Sequence, residues 1–157
     1  MVDTRALLTA LEAAPDIIIR LVGEVPRQNL KRRPAPNRWS AHEHACHIAL
    51  SDAPFVSRLE SMLADPAPSF SALLPSPDEE AGALLNVELD EALDRYARER
   101  ARLVTRLKGL SPADWRRTAE HQEYSHYSVF IMFRHLLMHE MLHAYRIEDL
   151  MLKKDWT

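Results

Sequence analysis

The chain has 157 residues, of which 46% are hydrophobic and 27% charged, with a net charge of −3. A chain of this length reads as one domain, residues 1–157, able to bury roughly 70% of its unfolded surface. Lys and Arg are spread along it rather than gathered into a basic face, which excludes nucleic acid as the main partner.

Cys46 is the single cysteine, so no internal disulfide forms, and the thiol fits a reducing compartment. The opening MVDTRALLTALEAAPD is charged and is no secretory signal. No apolar run reaches the ~18 residues that span a bilayer. The expected location is cytoplasmic, with no membrane partner. Three glycines and the lack of any Asn-Gly or Asp-Gly turn argue against a sheet-rich fold. Leu, Ala, Glu and Arg, all good helix formers, dominate. The expected class is all-α.

The first helix is expected from Thr4 to Val22, with Leu7, Leu8, Leu11, Ile18, Ile19 and Val22 on one stripe. Pro15 interrupts it, removing a donor and crowding the Leu11 carbonyl, so a kink or a break is expected. Residues 23–38 connect, and Lys31, Arg32 and Arg33 read as a solvated loop. The second helix opens at Ser40, where Ser40 and Glu43 form a capping box, and continues to Leu63 with a kink at Pro54. Residues 64–78 carry four prolines and read as a long crossover loop.

The third helix is expected over residues 84–107, burying Leu85, Leu89, Leu93, Tyr96, Leu103 and Leu107. Ser111 and Pro112 start a short helix through Trp115. A loop covers residues 116–126. The fourth helix spans residues 128–153 and is apolar on most sides. A small bundle has no fully central helix, so this one is expected to pair two copies of the chain through Phe130, Leu137 and Met141.

His135, His139 and His143 recur every four residues on that fourth helix, and so share one face. Two imidazoles one turn apart can hold one divalent metal, and His47 on the second helix offers a third. Helix faces in a bundle core build metal sites in this way. The expected ligands are His47, His139 and His143. Three successive turns do not reach one ion without strain, so His135 reads as an orienting or structural neighbour. His42 and His44 read as exposed and outside the site; His121 and His126 read as residues of its mouth. Cys46, about 100° from His47 round the helix, reads as a buried structural thiol. Three neutral imidazoles leave coordination positions for water or substrate, whereas closed structural sites use four protein ligands. Zinc and nickel both accept imidazole.

Two stretches resemble the DinB/YfiT-like superfamily. Trp39-Ser40-Ala41-His42-Glu43-His44-Ala45-Cys46-His47-Ile48 looks like the W-S-x-x-E-x-x-x-H-L that opens its second helix, with Asp52 at the trailing acidic position. His135-Leu136-Leu137-Met138-His139-Glu140-Met141-Leu142-His143 looks like its H-x-x-x-H-(D/E)-x-x-H. Arg100, the segment 110–115 and His121-Gln122-Glu123-Tyr124 fit between them. The resemblance implies a four-helix bundle of up-down-down-up course, usually dimeric, with nickel or zinc on His47, His139 and His143. It further implies a thiol-dependent S-transferase or a metal-dependent hydrolase, using a low-molecular-weight thiol or another small molecule. Ser125 stands where the family often has Gly, and Arg146 where Gln is common.

In the enzyme reading the metal activates a water or thiol, Glu43 or His135 orients a ligand or moves a proton, and Arg146 holds a carboxylate. The alternative is a stress-related bundle protein that binds metal without turnover.

Overall fold

The computed structural model describes residues 3–156. Helix α1 runs over Arg5–Glu24, α2 over Ala41–Leu50, α3 over Asp52–Ala64, α4 over Pro77–Ala81, α5 over Leu89–Lys108 and α6 over Val129–Leu152. The two-residue strands β1 (Ser69–Phe70) and β2 (Glu120–His121) are the only strands among the described residues. The fold is the all-α four-helix bundle that the sequence indicates. Helix α1 packs on α5 and α6, and α2 packs on the same two. The consecutive helices α1 and α2 therefore stand across the bundle from one another, joined by the connector of residues 25–40.

Pro15 does not break α1. The helix is continuous, with Leu7, Leu11, Ala14, Pro15, Ile18 and Val22 buried. The acceptor that Pro15 leaves unused is the Leu11 carbonyl, and Arg100 Nη1 donates to it at 3.1 Å. A tertiary donor replaces the missing helical one. The same guanidinium lies between two buried carboxylates. Nε and Nη2 donate to Asp52 at 2.9 and 2.7 Å, and Nη1 and Nη2 donate to Glu140 at 3.0 and 2.7 Å. Tyr96 adds its hydroxyl to Glu140 at 2.9 Å. This network joins α1, α3, α5 and α6 at the centre of the bundle.

The second helix is two helices, not one kinked at Pro54. The break falls at Ser51, whose hydroxyl donates to the His47 carbonyl at 2.7 Å. Pro54 is the third residue of α3, where backbone N–H groups have no helical acceptor to lose. The break lets Asp52 turn inward to Arg100.

The crossover is not structureless. Strand β1 pairs in parallel with β2, Ser69 opposite Glu120 and Phe70 opposite His121, tying the crossover to the loop before α6. Helix α4 follows, opened by a capping box of Ser76 and Glu79 and closed by Gly82 at φ +111°, a conformation that favours glycine. The sequence Ser76-Pro77-Asp78-Glu79 carried that signal. The third long helix consequently begins at Leu89, and residues 83–86 form a separate turn. The turn at Asp114–Arg116 is a single 3₁₀ turn that buries Trp115.

The exposed apolar residues of α6 are Met138, Leu142, Tyr145 and Leu152. Leu137 is buried, and Phe130 and Met141 are half-buried, so the residues expected to pair two copies are not the exposed apolar ones of α6. Phe130 instead packs on Trp115 of the 114–116 turn, 6.4 Å between rings.

Candidate metal centre

The site begins with the start of α2. Ser40 Oγ accepts from the Glu43 amide at 3.3 Å, and Glu43 accepts from the Ser40 amide at 2.9 Å. Arg33 Nε donates to the same carboxylate at 2.9 Å, and its Nη2 joins in. Burial alone would raise the Glu43 pKa, but the hydrogen bonds from Arg33 and Ser40 outweigh it and hold the group ionised. Glu43 is thus fully committed to fixing the helix start. Among the described residues its carboxylate makes no hydrogen bond or ion pair to a histidine. Arg33 is correspondingly half-buried and not a solvated loop cation.

From this fixed start, α2 sends His44 and His47 toward α6. His47 Nε2 stands 3.1 Å from His139 Nε2, and His143 Nε2 stands 3.1 Å from the same atom. The three form the only cluster of at least three His, Cys, Asp or Glu donors with metal-site spacing among the described residues. One imidazole nitrogen offers either a proton or a lone pair, so His139 Nε2 cannot make two good hydrogen bonds at once. A cation accepting all three lone pairs resolves the conflict. Nitrogens bound to one ion at ~2.0–2.1 Å stand ~2.8–3.4 Å apart between octahedral and tetrahedral angles, which brackets both 3.1 Å separations at His139 Nε2.

The opposite edges of the rings differ. His143 Nδ1 faces His44 Nδ1 at 2.8 Å. His47 Nδ1 is 3.8 Å from Glu79 Oε1, the residue that caps α4. His139 Nδ1 is buried with no hydrogen-bond partner among the described residues. Trp39 leans over the group, its ring 4.9 Å from His47 and 5.8 Å from His143 in stacked orientation. Burial lowers the pKa of all four histidines, to about 4 for His44 and His139. Neutral imidazoles with free lone pairs are what a divalent ion requires. The residues fit the group.

His44 and His42 are buried, contrary to expectation. His42 turns away and bonds the Leu84 carbonyl at 3.1 Å. Wheel position alone misplaces both, because the 83–86 turn packs on His42, while His143 of α6 and Trp39 pack on His44. His135 is exposed and packs beside Tyr124, 5.4 Å between rings, outside the cluster. His121 stacks on Tyr124 and Tyr127 near β2. Cys46 is buried, its thiol pushed up to about 12 by burial, consistent with a structural role.

His139-Glu140-Met141-Leu142-His143 has the spacing of the H-E-x-x-H helical metal motif, in which the Glu serves as general base. Here its carboxylate belongs to Arg100 and Tyr96 on the far side of α6. It is unavailable to the centre.

A cavity of about 800 Å³ adjoins the cluster. Trp39, His44, His143, Tyr145 and Arg146 line it. Sequence reasoning missed Trp39, His44 and Glu79 as components. Their contacts depend on where α4 and the 33–39 segment fold.

A family profile described as the DinB superfamily matches residues 10–147. The chain belongs to the DinB superfamily. Among solved structures it is similar to YfiT from Bacillus subtilis, described as a probable metal-dependent hydrolase with an unusual four-helix bundle topology. Identity is 16%, the match covers 100% of this chain and 91% of that one, and the TM-score is 0.81. No curated protein matches the sequence. Membership agrees with the order of the two motifs and with the bundle. Among the described residues, no helix is long and apolar enough to cross a membrane.

Proposed function

We propose that the protein is a metal-dependent enzyme acting on a small molecule, of hydrolase or thiol-transferase type. His47, His139 and His143 hold one divalent ion, zinc or nickel. The observation that carries this reading is the convergence of three neutral Nε2 atoms around His139, beside a cavity large enough for a small substrate. The description of the YfiT structure supports it. When bound, such an ion supplies Lewis acidity and lowers the pKa of a water or thiol that joins it.

The chain's own residues supply the rest. Glu79 and His44 orient the rings of His47 and His143 from behind. Trp39 covers the cluster and restricts water on that side. Arg146 places positive charge at the cavity wall. The test is metal-loaded protein assayed on p-nitrophenyl acetate and, separately, on a thiol with a chlorinated electrophile. Turnover that needs the metal and disappears in His139→Ala supports the enzyme. Full metal occupancy with no turnover in either assay favours the non-catalytic metal-binding reading.

Two copies pair through the exposed face of α6 that carries Met138, Leu142 and Tyr145. Light scattering should then give about twice the mass of an 18.0 kDa chain, and Leu142→Glu should return it to one.

A further inference from the structure

The cavity beside the cluster has a one-sided polar lining. Arg38 and Arg146 both line it, and neither side chain makes an ion pair or hydrogen bond among the described residues. Lys153, also on the lining, is paired with Asp149 at 2.9 Å. Glu80, exposed like both arginines, is the one acid on the lining whose carboxylate makes no ion pair among the described residues.

His44 adds a third donor, and its tautomer follows from the ring contacts. A metal on Nε2 of His143 leaves that ring's proton on Nδ1. His143 Nδ1 lies 2.8 Å from His44 Nδ1, so His44 accepts there and carries its own proton on Nε2. That Nε2 makes no hydrogen bond among the described residues and is not sealed away, while the residue lines the cavity. Arg38, Arg146 and His44 thus line the same space, together with the aromatic residues Trp39 and Tyr145.

We propose that the ligand of this cavity is a small organic carboxylate, read by Arg146, Arg38 and the Nε2–H of His44, with its reacting end at the metal. This rests on the three-histidine reading, because the bound ion fixes the His44 tautomer. Guanidinium matches a carboxylate with paired donors, and a charge-assisted hydrogen bond is roughly twice as strong as a neutral one. The aromatic residues of the lining favour an acid with a hydrocarbon or aromatic body over a bare anion.

The experiment uses cobalt-loaded protein and two series of probes, the ω-mercapto acids of two to five carbons and the ω-mercapto alcohols of the same lengths. In both series the thiolate occupies the metal and gives a charge-transfer band, so only the far end differs. The acid of the best-fitting length should bind ~10-fold more tightly than its alcohol, a difference of ~1.4 kcal/mol. Arg146→Gln and Arg38→Gln should each remove most of that preference and leave alcohol binding unchanged. Equal binding of acids and alcohols at every length, or no binding of either, overturns the anion site while an intact cobalt spectrum leaves the metal centre standing. A preference that survives in both variants also overturns it, because the carboxylate then binds the metal and not the arginines. Failure to take up cobalt at all overturns the three-histidine reading, and this inference with it.

Discussion

Arg100 Nη1 donates to the carbonyl of Leu11 at 3.1 Å, the acceptor that Pro15 leaves free. The guanidinium also pairs with both Asp52 and Glu140, and all three groups are buried; burial outweighs the hydrogen bonds from Arg100 and raises the Glu140 pKa. Removing one member of a buried ion group leaves its partners uncompensated, at a cost of ~3–5 kcal/mol. Arg100→Met should lower unfolding free energy by about that amount, measured by urea denaturation of metal-free protein. A loss below ~1 kcal/mol would show that Asp52 and Glu140 find other partners or protonate cheaply.

His44 lies behind His143 and not in the cluster itself. Partners that orient a metal-bound histidine are worth ~10–100-fold in affinity. His44→Phe should keep the bundle folded and weaken zinc by that factor, read by competition with a chromophoric chelator. His42→Ala, whose ring bonds the Leu84 carbonyl well away from the cluster, should leave affinity unchanged. Equal zinc affinity in His44→Phe and wild type would reduce the 2.8 Å contact to packing.

Acid should destabilise the metal-free fold through the same residues. Burial holds His44 and His139 near 4 and lowers His47 and His143 too. Unfolded histidine titrates at ~6.5, so below that pH the unfolded chain binds protons that the fold refuses. Stability is therefore complete above ~6.5 and falls as pH drops toward 4, by up to ~1.4 kcal/mol per pH unit for each group. Chemical denaturation at a series of pH values checks this. A flat profile between pH 7 and 5 would mean that the histidines are hydrated and not buried.

How far the sequence disclosed these features depended on distance along the chain. The i,i+4 histidines and the Ser40–Glu43 capping box are local, and periodicity with one hydrogen-bonding rule finds them. The outcome at Pro15 is not local. Its missing donor is replaced from Arg100, 85 residues away, so no helix rule applied to α1 anticipates a continuous helix. The burial of His44 likewise depends on α6 and on Trp39 beyond the helix start. Glu43 shows the converse error. Its wheel position beside His47 is right, but Arg33, ten residues earlier, claims the carboxylate. Helix α4 was legible, since Ser76 and Glu79 repeat the capping pattern of Ser40 and Glu43, but the surrounding prolines read as loop.

The ligand set is the claim on which the functional account stands. Its most direct test is elemental analysis of untagged protein, purified without added metal, beside His139→Ala prepared in the same way. His139 Nε2 is the atom that both other rings approach at 3.1 Å, and two imidazoles seldom hold a divalent ion tightly. The account predicts one divalent ion per chain in the wild type and none in the variant, with the variant still helical by circular dichroism. Full metal content in folded His139→Ala would contradict it.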